Sequence, residues 1–346
     1  MKLAMGLAAL LAVLGWNVAG AVGQERWWNT GHAHITVGGV QHLPPPLLDF
    51  FAAHASTVGY YSGIEPPSSH WFHRNAYPES FPHDYDELVA LYGEQYVQDN
   101  GVVPWNAAGY ADYLTPLMAG AVTSTDWTNL LPVAGALAHY LEDLHNPLHT
   151  TTNYDGQETG NNGIHYRYEG VMISQHLAGL AITPSPADCV YYDPSAMPLI
   201  DAIFASIDVT YPYVDDLLAA DTAATAIDPD HGPPYYAALW AATGSFTHEL
   251  FQDASEMVAS AWYTAWINAG APAPVLPGII GDLNCDATVD FADINPFVLY
   301  ESNIAGWRVT FPGCDPLNGD INQDGTWGEG SFGDINPFVT LLVGDR

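Results

Sequence analysis

One short stretch, HYLEDLHNPLH from His139 to His149, carries three histidines and two acids inside an otherwise apolar region. His139 and Asp143 lie four residues apart, so on a helix they share one face. The segment GIHYRYEG repeats this arrangement, because His165 and Glu169 are again four residues apart. Imidazole nitrogens and carboxylate oxygens at this spacing are the ligands that a helical bundle offers to zinc. We therefore predict a zinc centre that contains these four residues and His149.

The segments around these residues have the periodicity of helices. In WTNLLPVAGALAHYLEDLHNPLH the apolar residues recur every three or four positions, and Thr125 or Asp126 could cap the start of the helix. ALWAATGSFTHELFQDASEMVASAWYTAWINAG predicts a second long helix that ends near Gly270, and PLIDAIFASI and PYVDDLLAAD predict shorter helices. The region from Arg26 to about Asn268 is therefore expected to be all-α.

The start of the chain predicts export. A lysine, an apolar run and the small residues Ala19-Gly20-Ala21 indicate a signal peptide over residues 1–21, with residue 26 as an alternative end. No later apolar run is long enough to cross a bilayer, so we expect no transmembrane segment and a secreted or cell-surface protein. After the signal, a body over residues 27–270 is followed by a Pro/Ala linker, 271–280, and a tail, 281–346.

The charge balance is strongly acidic. There are 39 acidic residues against six basic ones, and Lys2 is the one lysine of the chain. Such a chain offers no basic stripe for duplex DNA or for anionic lipid headgroups, and its acidity is typical of adaptation to salty water. Bound metal is then the expected source of positive charge for an anionic substrate.

The tail contains an internal repeat, GDLNCDATVDFADINPFV from Gly281 and GDINQDGTWGEGSFGDINPFV from Gly319. In the first copy, positions 1, 3, 5, 9 and 12 of a calcium loop are Asp282, Asn284, Asp286, Asp290 and Asp293. The second copy offers Asp320, Asn322, Asp324 and, after three extra residues, Asp334, with Glu329 as an alternative. We predict one or two calcium ions here, although an acidic turn without metal is the other interpretation.

Three cysteines allow at most one intramolecular disulfide. Cys285 and Cys314 both lie near the C-terminus, so they are the expected pair, and Cys189 is expected to be buried. The bond would link the first calcium loop to the connection between the repeats.

The pattern H-x3-D-x5-H followed by H-x3-E resembles the zinc-dependent phospholipase C and single-strand nuclease family over residues 27–270. GIHYRYE is similar to the phospholipase side, which carries H-x-x-Y-E, whereas WWNTGH is similar to the nucleases. The resemblance implies a helical bundle with a cleft for three zinc ions. By that resemblance His149, His165 and Glu169 hold one zinc, and His139 and Asp143 hold a second.

The same resemblance implies a third zinc, which Asp143 bridges to the second. Its other ligands would be His32 and the amine and carbonyl of a mature N-terminal Trp27. This requires cleavage after Arg26, whereas the small-residue site predicts a mature start at Val22.

The second zinc also needs a histidine and a carboxylate from upstream, which the resemblance places near EPPSSHWFHRNAY. His70 matches best, with His73 in reserve. Where the family has an aspartate, this chain has Ala55 and Ser56, so Glu65 is the predicted ligand and Asp49 a more distant alternative. The predicted catalytic carboxylates are Glu65, as general base, and Asp143.

The remaining histidines carry less chemistry. His34 and His42 are expected to be structural or at the surface. His145 should support the ligands rather than bind metal, and His176 should be a core residue although it falls on the helical face of His165.

The paired GD-N-D…DINPFV pattern resembles dockerin modules from about Gly281 to Gly344. Dockerins attach secreted enzymes to cohesin partners, so the resemblance implies an EF-hand-like calcium module and a cohesin-type protein partner.

The predicted function is zinc-dependent phosphodiester hydrolysis of the phospholipase C type. The alternative is a single-strand-specific nuclease or nucleotidase of the same family. A third interpretation is a non-catalytic metal-binding surface protein displayed through its tail. Tyr60, Tyr61, Trp71 and Phe72 could surround a choline group, stack on nucleobases or belong to the core.

Overall fold

The computed structural model describes residues 28–66 and 68–343, so the predicted signal peptide and Trp27 lie outside the described residues. The described residues are mostly helical and include no strand, which confirms the all-α class. Contacts between Cα atoms divide the chain into two compact units. The first contains residues 28–115 and 131–268, and the second contains residues 116–130 and 269–343. The predicted body and tail boundaries stay predictions.

The α-helices, in chain order, are α1 (Trp28–Val40), α2 (Leu47–Ala53), α3 (Ala55–Ser62), α4 (Tyr85–Tyr92), α5 (Glu94–Asp99), α6 (Val103–Gly120), α7 (Ser124–Asn129), α8 (Leu131–Asp143), α9 (Ser174–His176), α10 (Leu199–Thr210), α11 (Tyr213–Ile227), α12 (Pro233–Asn268), α13 (Ile294–Ser302), α14 (Ile304–Thr310) and α15 (Ile335–Val343). A π-helix, Tyr166–Ile173, leads into α9, and a 3₁₀ helix spans Pro147–Thr150. Helix α7, the end of α6 and α13 to α15 belong to the second unit.

Helix α8 lies at the centre of the first unit, with all but one of its residues buried. It packs against α3, which also packs against α1. Gly135 allows this close approach, because a Cβ there would lie 2.4 Å from the Cβ of Tyr61 and 2.9 Å from the amide nitrogen of Ser62. The missing side chain therefore sets the distance between α8 and the end of α3, where the Ser62 carbonyl faces the site described below.

Helix α12 supports the other side of the site. It packs against α1, α8 and α11, and it is followed by Gly270 at φ 89°, the left-handed conformation that often ends a helix. The predicted end near Gly270 is thus confirmed. Leu239, Phe246 and Leu250 of α12 are buried in one cluster with Tyr168 of the π-helix, so α12 fixes the segment that carries Glu169.

The start of α7 differs from expectation. The cap is Thr123, whose side chain accepts a hydrogen bond from the amide of Asp126, while the carboxylate of Asp126 accepts one from the amide of Thr123. The expected cap at Thr125 or Asp126 is therefore wrong. The reciprocal pair is a capping box, in which the acid stands three residues after the cap rather than at it.

The second unit has its own small core, in which Phe297 and Phe338 stand at equivalent positions of the two repeats and stack with ring centroids 4.2 Å apart. The predicted disulfide, Cys285–Cys314, is confirmed, and Cys189 is a free, half-buried thiol. Within this unit the backbone amide and hydroxyl of Ser124 donate to the buried carboxylate of Asp315. Along the described ranges, no helix is long and apolar enough to span a membrane.

Candidate metal centre

The first group of possible ligands joins α1 to α8. His139 and Asp143 share one face of α8, as their spacing predicts, with His139 Nε2 3.1 Å from Asp143 Oδ2. His32 reaches them from α1, with its Nε2 3.5 Å from Asp143 Oδ1 and its ring stacked on that of His139. These three residues together could hold one metal ion, whereas the resemblance assigns His32 to a different zinc ion from His139.

The second group follows α8 in sequence. His149 lies on the 3₁₀ helix, and His165 and Glu169 lie at the start of the π-helix. Glu169 Oε2 is 2.9 Å from His165 Nε2 and 3.4 Å from His149 Nε2. These three residues could hold a second ion. Asp143 Oδ1 lies 3.9 Å from His149 Nε2, so this carboxylate stands between the two groups.

Three of the histidines have their tautomer fixed by the backbone. His139 Nδ1 donates to the carbonyl of Ser62 at 2.7 Å, His149 Nδ1 to that of His70 at 3.0 Å and His165 Nδ1 to that of Tyr154 at 3.1 Å. A carbonyl can only accept, so in each neutral ring Nε2 carries the lone pair. This is how metal-binding histidines are usually oriented.

The arrangement needs a positive charge between the nitrogens and the carboxylates. A lone pair on Nε2 facing a carboxylate oxygen is repulsive unless a proton or a cation lies between them. Asp143 Oδ2 is moreover buried and has no hydrogen-bond donor. The residues present therefore fit a metal ion by both donor type and orientation.

The pKa directions agree with this electrostatic arrangement. Burial alone would raise the pKa of Asp143, but the nearby His139 and His149 hold it below its usual range. Burial opposes ionisation of Glu169 as well, and the adjacent rings of His149 and His165 nevertheless lower its pKa well below the ordinary value. Burial lowers the pKa of His32, but its hydrogen bond to Glu142 and the nearby Asp143 charge raise it to about 9. Both carboxylates are thus ionised at neutral pH.

The predicted upstream ligands lie beside these groups. Glu65 Oε1 accepts from His70 Nδ1 at 2.5 Å, and the His70 ring centroid is 5.1 Å from that of His149 and 6.3 Å from that of His139. The Glu65 side chain is 53% exposed, so this carboxylate is reachable from solvent. Of the two alternatives, His73 Nδ1 pairs with the side chain of Asn100, and Asp49 is exposed in α2.

The histidines set aside by the sequence have structural contacts. His34 bonds to the carbonyl of Leu180, and the buried His42 bonds to Ser255. His145 donates from Nδ1 to the carbonyl of Leu141, and its burial lowers its pKa to about 4. His176 stacks on Trp240.

Of the four aromatic residues near the site, Phe72 is fully buried and Tyr60 is exposed. The ring of Trp71 lies perpendicular to that of His70 at a centroid distance of 5.3 Å.

Two polar residues of the site were not assigned from the sequence. Asn146 Nδ2 donates to Glu169 Oε2 at 2.9 Å, and its Oδ1 accepts from the amide of Leu148. Glu142 accepts from His32 Nδ1 at 2.7 Å. Both residues stand inside the histidine-rich stretch, so their position was a signal. Their partners come from α1 and the π-helix, which the spacing alone cannot place beside them.

The two loops of the tail have matching geometry. Asp282 accepts from the amides of Asp286 and Ala287, and Asp320 accepts in the same way from Asp324 and Gly325. At the end of each loop, Asp293 and Asp334 accept from the amides at loop positions 2 and 3.

The insertion in the second loop is thus accommodated without moving the terminal acid. Asp334 is buried, whereas Glu329 is exposed. Besides the insertion, the loops differ at the terminal acid, because Asp293 Oδ2 accepts from the amide of Asp290 while Asp334 Oδ2 is buried without a donor.

No protein-family model matches this chain, and no curated protein matches it either.

Proposed function

We propose that this chain is a zinc-dependent phosphodiester hydrolase of the phospholipase C type that acts outside the cytoplasm. The observation that carries the proposal is the pair of ligand groups joined by Asp143, with three histidines that turn Nε2 towards carboxylates. Zinc bound there would neutralise phosphodiester oxygens and acidify water near neutral pH. In a chain with 39 acids and six bases, such positive charge is what an anionic substrate needs.

The chain's own residues divide the remaining work. Glu65 is a candidate general base because its carboxylate is accessible beside the two groups. The hydrogen bond from His70 lowers its pKa, which keeps it ionised but makes it a weaker base. Asp143 is buried between the two groups and would hold both ions in fixed relation. Tyr168 of the H-x-x-Y-E pattern is buried and bonded to Thr247, so its role is to fix the π-helix rather than to contact substrate.

Substrate assays with metal analysis test this proposal. One purified preparation is assayed on phosphatidylcholine, single-stranded DNA and bis-p-nitrophenyl phosphate, with zinc content measured in parallel. We expect chelator-sensitive hydrolysis of phosphatidylcholine and of the small phosphodiester. Cleavage of DNA alone would favour the nuclease alternative. Bound zinc without hydrolysis of any of the three substrates would favour the non-catalytic interpretation.

The mature N-terminus at Trp27 belongs to the same proposal. A free amine and its adjacent carbonyl can chelate a zinc ion that an internal peptide nitrogen binds poorly, and Trp27 stands five residues before His32. Terminal sequencing of the active, secreted protein decides the matter. A start at Trp27 would support three zinc ions, and a start at Val22 in a fully active enzyme would rule out the terminal ligand.

For the tail, we propose a dockerin-like calcium module that attaches the enzyme to a cohesin-type partner. The hydrogen bonds that the first and last acids of both loops share, and the unpaired, buried Asp334 Oδ2, support a cation in the second loop as well as in the first. Calcium should protect the tail from proteolysis, and protease sensitivity that does not change with calcium would contradict the proposal.

A further inference from the structure

Glu142 is a buried carboxylate that belongs to neither group of possible ligands. It precedes Asp143 on α8, and its residue is 3% exposed. Among the described residues it has no arginine or lysine partner. Its Oε2 accepts from His32 Nδ1 at 2.7 Å, and its Oε1 accepts from the hydroxyl of Thr36 at 2.5 Å. A carboxylate in this position is stable only because charged or strongly polar groups face it.

Both donors to Glu142 come from one helix. His32 and Thr36 are four residues apart on α1, so they lie on one face of that helix and hold the two oxygens of the same carboxylate. The orientation of Glu142 is therefore fixed, and with it the ring of His32. That ring is also stacked on His139, with centroids 4.2 Å apart, and its Nε2 faces Asp143.

His32 is thereby held differently from the other three histidines. His139, His149 and His165 donate from Nδ1 to neutral backbone carbonyls. His32 donates to a carboxylate, which makes a stronger, charge-assisted hydrogen bond and a more electron-rich ligand at Nε2.

The charge of Glu142 also has a consequence for the first group. Two neutral imidazoles and Asp143 give that group one negative charge. A divalent ion there would leave one positive charge that these three ligands do not balance. Glu142 supplies the second negative charge without occupying a ligand position, because both its oxygens already accept hydrogen bonds.

We propose that Glu142 is a positioning residue that holds His32 and balances charge for the ion of the first group, His32, His139 and Asp143. This inference rests on the metal binding in the proposed function, and it does not depend on which substrate is hydrolysed. It predicts that the two groups respond differently to the loss of Glu142, because the hydrogen bonds of its side chain in the described structure go to His32 and Thr36 and not to the second group.

The test is a zinc titration of the full chain, freed of metal, against a competing chromophoric chelator. Glu142→Gln keeps the size of the side chain but removes its charge, and Glu87→Gln, on the exposed face of α4, is the matched control. We expect Glu142→Gln to weaken the binding of one zinc ion by roughly 10- to 100-fold and to leave the affinity for another zinc ion unchanged. The control should match the unaltered protein.

The proposal would be overturned if Glu142→Gln weakened the binding of every zinc ion equally, or if its zinc affinities equalled those of the unaltered protein. The melting temperature of the metal-free variant is measured as well. If Glu142 had only a structural role, its loss would lower this temperature without selectively weakening the binding of one ion. If Glu142→Gln does not fold, Thr36→Val gives the same selective loss in smaller measure, and no selective loss there would also overturn the proposal. Failure of the hydrolase proposal looks different, because zinc would then bind normally while no phosphodiester is cleaved.

Discussion

The stability of the metal-free protein should fall as pH rises through the neutral range. The pKa of His32 rises from 6.5 to about 9 in the folded chain, mainly because the hydrogen bond to Glu142 and the Asp143 charge outweigh burial. A group whose pKa is raised by folding stabilises the fold below its unfolded pKa and loses this contribution as pH rises through the folded value. The loss is therefore expected between pH 6.5 and about 9.

The size of the effect follows from the same pKa values. At about 1.4 kcal/mol per pKa unit, a rise from 6.5 to about 9 corresponds to about 3 kcal/mol of unfolding free energy. Solvent screens this interaction little, because the His32 side chain is only 11% exposed. The pKa values of His70 and His165 are also raised, because hydrogen bonds to Glu65 and Glu169 outweigh burial, so they contribute with the same sign. The lowered pKa values of Asp143 and Glu169 affect stability in a different pH range, because the stabilisation by these carboxylates is lost only as the solution becomes acidic.

Urea unfolding at several pH values, followed by circular dichroism, measures this slope. The experiment uses a zinc-selective chelator with calcium present, so that the tail is not perturbed. His32→Gln should reduce the slope, whereas His248→Gln, at a half-buried position on α12 where the ring bonds to the carbonyl of Ala181, should leave it unchanged. With saturating zinc the fall should disappear, because the ion replaces the proton on Nε2. A metal-free protein equally stable at pH 6.5 and 9.5 would refute this reasoning.

Three other substitutions have defined outcomes. Gly135→Ala should destabilise the protein by about 1–3 kcal/mol because its Cβ would overlap α3, whereas Gly109→Ala, which meets open space in α6, should be neutral or stabilising in thermal unfolding. Arg167→Met should lower the free energy of unfolding in urea by about 3–5 kcal/mol, because it leaves the buried Asp221 carboxylate without its cation. A loss below about 1 kcal/mol would contradict that account. Asp334→Asn should weaken calcium binding to the second loop by roughly tenfold or more in a calorimetric titration, and unchanged affinity would exclude Asp334 as a ligand.

The local part of the site could be predicted from the sequence because helix geometry is periodic. The four-residue steps from His139 to Asp143 and from His165 to Glu169 place each pair within 3.1 Å. Glu169 lies in a π-helix, yet it still meets His165, because residues four apart are about one turn apart in a π-helix as in an α-helix.

The remaining contacts depend on packing between distant segments. Glu142 meets Thr36 across 106 residues of sequence, and no spacing rule specifies which face of α1 turns towards α8. The carbonyl groups that orient the histidines, such as that of Ser62, carry no sequence signal at all. In the tail, the insertion before Asp334 suggested an altered loop, but the extra residues are accommodated outside the carboxylate positions.

The most direct test of the central claim combines metal content with hydrolysis for the full chain and for His149→Ala. His149 lies in the second group and adjoins Asp143, so its loss should remove zinc and hydrolysis together. His248→Ala serves as the control. We predict two or three tightly bound zinc ions per chain in the unaltered protein and the control, and fewer ions without hydrolysis of bis-p-nitrophenyl phosphate in His149→Ala. Less than one zinc ion per chain in the unaltered protein, or full hydrolysis by His149→Ala, would contradict the account.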